Sequence, residues 1–237
     1  ILSTDAFLNF NKNIKPRLKF VKNLNLISDK IINEDSNALT FNYQNQFSDS
    51  RLYGTDLEDN SSRFIYGLEN NFKILEKKID LNLNQSYDFK SKTNYTNQIN
   101  QTSNTSDIAI EAKTNFNGLF FKIDTRLDKN QLEKKEMNYS LNYKKNLEIN
   151  LDYNETNAKS FKNLSSDTQS LGVNIGKKMN NNIKLSIGSN LDLKNNYSPL
   201  TQTLKISLFD ECSKLDISYT DTRFNDNYNT KPNETLS

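Results

Sequence analysis

Histidine and tryptophan are absent from the 237 residues, cysteine occurs once, proline three times and glycine six times. Without histidine the chain cannot build a Ser-His-Asp triad, a Cys-His dyad or a His-ligated metal site. A single cysteine cannot build a thiolate zinc cage. No catalytic residue, metal ligand or cofactor is therefore assigned. Neither charge sign is in excess: 31 Lys and Arg face 29 Asp and Glu, and a net charge of +2 leaves no electrostatic footprint for nucleic acid. No run of about 18 apolar residues occurs, so no transmembrane helix is expected, although a membrane crossed by strands stays open. The chain begins at Ile1 without a basic or apolar leader, which reads as a piece of a longer protein whose targeting signal lies upstream.

A mean hydropathy of −0.81 is low for a chain of this size. Disorder is countered by the 11 Tyr and 14 Phe, and by the placement of the apolar residues. The 39 asparagines read as the codon bias of an AT-rich genome, and the many Asn-x-Ser/Thr triplets follow from that abundance. Between Asn182 and Lys194, Ile183, Leu185, Ile187, Leu191 and Leu193 fall on one face of an extended chain. Lys184, Ser186, Gly188, Asn190 and Asp192 fall on the other, a period of two. The same alternation sets Leu81, Leu83, Tyr87 and Phe89 against Asn82, Asn84, Ser86 and Asp88, and Leu147, Ile149, Leu151 and Tyr153 against Glu148, Asn150 and Asp152.

These segments run near ten residues. A tilted membrane-spanning strand needs roughly 9–11, whereas strands of soluble sandwiches are usually about five or six. From Ser62 onward strands are expected near 62–74, 79–89, 106–115, 118–128, 136–143, 147–154, 168–177, 182–193, 200–209 and 214–222. The links between them alternate short and long, as the two ends of an outer-membrane barrel do. On that pattern the stretch from Ser91 to Ser106 is expected as an extracellular loop, and Asn117-Gly118 as a tight hairpin. Periodicity and loop parity favour an all-β, antiparallel transmembrane β-barrel, with a soluble extended sheet or β-solenoid still open.

The stretch from Asp29 to Asn70 carries a denser signal: Ile31, Asn33, Glu34, Asp35 and Ser36, then Asn45, Phe47, Ser48, Arg51, Gly54, Asp56, Arg63, Tyr66, Gly67 and Leu68. In order and spacing this run resembles the barrel domain of the LptD family, the outer-membrane lipopolysaccharide-assembly proteins. Departures occur at Ile32, Leu52, Tyr53, Leu57 and Asp59, where the family pattern has Pro, Phe, Ser, Arg and Glu. Asp210-Glu211-Cys212 resembles the family's last hairpin region.

The resemblance implies that residues 1–237 are the C-terminal portion of such a barrel domain, a partial barrel of about 12 strands of a larger one. It implies lipopolysaccharide transport and insertion into the outer leaflet through a lateral opening, with no enzymatic step. The expected location is the bacterial outer membrane. Implied partners are an LptE-type plug lipoprotein, the periplasmic lipopolysaccharide-bridge proteins reached through an N-terminal domain, lipopolysaccharide and outer-membrane lipid. Cys212 is implied to form a disulfide with a cysteine outside this chain. Asn33, Glu34, Asp35, Arg51, Asp56 and Arg63 are the motif's polar cluster; Arg51, Asp56, Glu58, Asp59 and Arg63 form an ordered cluster in the lumen or a plugged loop in contact with the LptE-type lipoprotein, or else solvated surface charge. A passive porin-like channel is the rival function. The resemblance also leads to the expectation that the isolated segment, with two unpaired sheet edges, is not a stable transmembrane unit.

Overall fold

The structure, a computed structural model, describes residues 1–8, 12–23, 36–54, 59–74, 76–90, 92–99, 101–160, 164–223 and 233–236. The strands are β1 (Leu2–Phe7), β2 (Ile14–Lys22), β3 (Asn37–Ala38), β4 (Leu52–Tyr53), β5 (Ser62–Ile74), β6 (Lys77–Asp88), β7 (Ile108–Phe116) and β8 (Leu119–Leu127). They continue with β9 (Lys134–Lys144), β10 (Leu147–Thr156), β11 (Thr168–Lys178), β12 (Ile183–Asp192), β13 (Ser198–Phe209), β14 (Lys214–Thr222) and β15 (Asn233–Leu236). Two short helices, α1 (Tyr43–Gln46) and α2 (Asn94–Gln98), lie in the longest connections.

Among the described residues thirteen strands form one sheet in the order β1-β2-β5-β6-β7-β8-β9-β10-β11-β12-β13-β14-β15, and β3 pairs with β4 in a separate hairpin. Among the described residues β1 and β15 do not pair with each other, so the sheet is an open part of a barrel. The strands expected from Ser62 onward all form, with ends shifted by a few residues at most. Two sheet strands before that point, β1 and β2, have no clear signature in the sequence pattern. Their alternation is interrupted by Pro16 and by charged residues on both faces. Connection lengths keep the odd-even sorting. At the β7–β8 turn Asn117 (φ 49°) and Gly118 (φ 82°) are both left-handed, the backbone a type I′ reversal requires.

Contacts divide the chain into two compact units. The first comprises Ile1–Thr114, Ile123–Met137 and Thr156–Asp167; the second comprises Asn115–Lys122, Asn138–Glu155 and Thr168–Ser237.

In the first unit the usual relation of burial to polarity is reversed. Along β6 the polar side chains Asn82 (7% exposed), Asn84 (1%), Ser86 (0%) and Asp88 (0%) are buried, while Leu83 (39%) and Tyr87 (42%) are exposed. A soluble sheet buries the other face. Phe20, Phe64 and Tyr87 share one cross-strand row on the exposed face. Phe89 packs edge-on against Phe20 at 6.0 Å and Tyr87 at 5.6 Å. An aromatic group of this kind at strand ends is what an outer-membrane barrel presents at the lipid boundary.

The second unit likewise exposes its apolar face. Leu185, Ile206 and Ile217 form one row, and Ile187, Leu204 and Tyr219 the next. Ile187 is 64% exposed. Contiguous exposed apolar rows of this kind are rare on soluble monomers, where patches of a few hundred Å² already mark an interaction surface. Hydrocarbon, by contrast, solvates them at no cost.

Candidate functional site

The polar face of the first unit is covered by its own connections. Residues 36–54 and 59–61, carrying α1 and the β3–β4 hairpin, and residues 89–90, 92–99 and 101–107, carrying α2, fold onto β2, β5, β6 and β7. Asn42 caps α1 by accepting from the Asn45 N–H at 2.8 Å, and Thr93 and Thr96 form a reciprocal capping box on α2. The described part of the expected extracellular loop, residues 92–99 and 101–106, packs against the sheet: Tyr95, Thr96 and Ile99 are buried. Its low charge, read as loop composition, is what allows it to pack. Phe41, Leu52, Tyr95, Ile99 and Ala109 form one small apolar cluster, and Val21, Tyr43, Phe47 and Ile65 another.

Polar side chains of the strands hold the backbone of the covering segments. Asn84 Nδ2 donates to the Tyr43 carbonyl at 2.8 Å, and Lys19 Nζ to the Phe47 carbonyl at 2.7 Å. Gln46 Nε2 donates to the Tyr95 hydroxyl at 2.8 Å, linking the two segments. Gly67 makes room for this docking. A Cβ there would stand 2.8 Å from the Leu83 carbonyl oxygen and 3.0 Å from Phe47 Cζ, and the Arg17 guanidinium lies 4.1 Å from the same Phe47 ring.

Two ionic clusters lie under the covering segments. In the first, Arg51 is fully buried, with Nε donating to Asp59 Oδ2 at 3.0 Å, one terminal nitrogen to Asp88 Oδ1 at 2.8 Å, and its plane 4.0 Å from the Tyr95 ring centroid. Arg63 donates to Asp59 Oδ2 at 3.0 Å, to Ser61 Oγ at 2.6 Å and to the Ser48 carbonyl. Two arginines and two aspartates cancel. Burial opposes charge on Asp59, but Arg51 and Arg63 outweigh it and hold its carboxyl well below the ordinary carboxylate range. Burial likewise opposes charge on Arg51, and Asp59 and Asp88 outweigh it, so that guanidinium is more basic than usual. Tyr95, desolvated on all sides, is pushed up to about 12.

The second cluster centres on Arg126 of β8. It donates to Asp107 Oδ2 at 2.7 Å, Glu136 Oε1 at 2.8 Å and the Ile99 carbonyl at 3.1 Å, and stands 4.7 Å from the Phe41 ring centroid. Lys135 adds an ion pair to Asp107 at 3.0 Å.

Of the motif's polar residues, Arg51 and Arg63 meet at Asp59 beneath the covering segment. Asn33, Glu34, Asp35 and Asp56, with Glu58, lie outside the described residues. Cys212 is an exposed free thiol in the β13–β14 turn. Sequence reasoning missed Asp88, Asp107, Arg126 and Glu136. The alternation puts Asp88 on the polar face of its strand but names no partner for it. Arg126 shares the inward parity of Lys122 and Asp124 in β8, a pattern that could have marked it.

In the second unit the polar face is open. Asp152, Asn154, Asn174, Asn190, Thr201 and Thr203 line a cleft of about 380 Å³ over the glycines at 172 and 188. Such a surface offers hydrogen bonds but no nucleophile–base pair. Among the described residues no group of three His, Cys, Asp or Glu is arranged to hold a metal ion.

No curated protein sequence matches this chain. A family model, LptD, LPS transport system D, matches residues 2–186 and thus spans both the motif run and most of the strands. The reversed sheet and this match lead to one conclusion: the chain belongs to the LptD family, which acts with the Lpt machinery in lipopolysaccharide transport and assembly at the outer membrane.

Proposed function

We propose that residues 1–237 are the C-terminal portion of the barrel domain of a translocon that receives lipopolysaccharide from periplasmic bridge proteins and releases it into the outer leaflet through a lateral opening. The observation behind this reading is the reversed sheet, apolar outward and polar inward, in a chain of the LptD family. In physical terms the sugar and phosphate head group follows hydrogen-bonding side chains such as Asn150, Asp152, Lys184, Asn190 and Asp192, while acyl chains partition into lipid. An LptE-type lipoprotein fills the part of the lumen that the chain's own segments leave open. Short turns face the periplasm and long connections the outside.

Cys212 sits in a short turn and is exposed, which suits a disulfide to a cysteine of the periplasmic domain. Full-length protein from outer membranes, run with and without reductant beside a Cys212→Ser variant, tests this. A reductant-sensitive shift lost in the variant is expected. Depletion of the protein should also remove newly made lipopolysaccharide from the cell surface; unchanged surface delivery would refute the translocon and favour a porin-like channel.

A further inference from the structure

Lysines are concentrated on the polar face of the second unit near its tight turns. The register places Lys178, Lys184, Ser207 and Asp216 in one cross-strand row, and Gly176, Ser186, Lys205 and Ser218 in the next. Lys214 follows one step further toward the turn. Two carboxylates stand beside these four lysines. Lys184 Nζ reaches Glu148 Oε2 at 2.5 Å, and Lys205 and Lys214 converge on the same oxygen of Asp216, at 2.9 and 2.8 Å. Asp210 and Glu211 belong to the turn itself. Lys178 and Lys184 are directly opposed, a repulsion that Glu148, paired with Lys184, offsets in part. Each ammonium has three protons to donate, so one shared carboxylate oxygen leaves capacity on both of its lysines.

The lysines are also positioned. A Cβ at Gly176 would stand 2.9 Å from Lys184 Cε, so the glycine gives the Lys184 stem its path across β11 to Glu148 on β10. Lys184, Lys205 and Lys214, with Ser186, Thr203 and Ser207, frame a cleft of about 240 Å³. Further along the same face the charges are the carboxylates Asp152 and Asp192. The ammonium groups are thus gathered at one end of this face and carboxylates stand at the other.

We propose that the cleft framed by Lys184, Lys205 and Lys214 binds the phosphate groups on the sugar head of lipopolysaccharide. The proposal rests on the reading that lipopolysaccharide moves along this polar face, and it assigns where its negative charge is held. A phosphate monoester offers up to two charges and three acceptor oxygens, and lysine binds it as a point charge, without the geometric demand of arginine's fork. Several lysines around one open cleft can therefore hold phosphates without fixing the sugar, which suits a cargo that must move on.

The test uses the full-length protein in cells, with a photo-crosslinking amino acid at Ser186 in the cleft or at Asn190 further along the face. Capture of lipopolysaccharide at Ser186 should fall about fivefold or more in the triple variant K184Q/K205Q/K214Q and persist in the corresponding triple arginine variant. Equal capture in the glutamine variant overturns the phosphate site while leaving the passage reading intact. Phospholipid captured in place of lipopolysaccharide at Ser186 overturns it too. No lipopolysaccharide captured at either position of the wild type overturns the passage reading itself. Should the glutamine variant fail to assemble, wild-type complex in vesicles containing lipopolysaccharide or its dephosphorylated form decides the matter: capture at Ser186 should favour the phosphorylated form, and equal capture of both rejects the site.

Discussion

Replacing Arg51 by Met should release the covering segments of the first unit from the sheet. Arg51 is the only side chain described that bonds both Asp59, in the covering segment, and Asp88, on β6. The variant leaves two buried carboxylates facing Arg63 alone, so a neutral set becomes net negative in a desolvated site. Removing one partner of a buried ion pair costs about 3–5 kcal/mol, chiefly through the charge left behind, and the lost contact with the Tyr95 face adds to this. About 4 kcal/mol corresponds to roughly a thousandfold in the local opening equilibrium. Hydrogen exchange in the full-length protein can read it at the α2 amides of Asn97 and Ile99, which donate to the Thr93 and Tyr95 carbonyls. The double variant R51M/D88N restores charge balance and should recover a large part of the protection. Arg51→Lys should not, because a single ammonium cannot span two carboxylates and stack on a ring. Protection in R51M within about tenfold of wild type, or a double variant no better protected than the single, would refute the reasoning.

Gly67→Ala forces a methyl against the Leu83 carbonyl oxygen and Phe47, and should cost about 1–3 kcal/mol by displacing α1, seen as faster limited proteolysis within residues 36–54. Asp59 titrates below the ordinary carboxylate range, so its contribution is complete above pH of about 4 and is lost as pH falls further. Protection of the α2 amides, corrected for intrinsic exchange, should fall on acidification below that value, less so in D59N. Tyr95 titrates at about 12 against an ordinary value near 10, so the unfolded chain loses that proton first and protection should decline as pH rises from about 10 to about 12, an effect absent in Y95F. Ile187→Lys would be harmless on a soluble surface, but on a lipid face it should cost up to about 2–4 kcal/mol in unfolding from vesicles.

Strand positions were legible because the alternation of side chains has a period of two whichever solvent lies outside, and Leu83 against Asn84 states it as clearly in lipid as in water. Which face is buried was legible only through strand length and loop parity, since the pattern of a lipid-facing strand and that of a soluble one differ by inversion alone. The covering segments were the least legible part. Residues 91–106 have the composition of a solvated loop, and nothing in a linear reading says that Tyr95 and Ile99 will find an apolar patch around Phe41 and Ala109. Arg51 and Arg63 stand out through the family run, yet Asp88, which Arg51 bonds, lies 37 residues away, a pairing made only when the covering segment docks on β6.

The polarity of the sheet face explains why the covering segments are held by ions rather than by a larger apolar core. The face they dock on must stay polar for the barrel to keep its lumen hydrated, so the sheet offers Asn84, Ser86, Asp88 and Lys19 where a soluble protein would offer Leu or Val. Buried ion pairs add little net stability compared with well-packed hydrocarbon. Misplacing them by one residue, however, turns every partner to the other face of the strand and leaves charges buried alone. Arg51, tied at once to Asp59 and Asp88, therefore fixes where the segment sits more than how tightly it is held. The same reasoning applies to Arg126, which holds Asp107, Glu136 and the end of α2 together. A segment docked this way has a single well-defined position and a modest free energy of release, so a change at very few residues is enough to uncover the polar face beneath it.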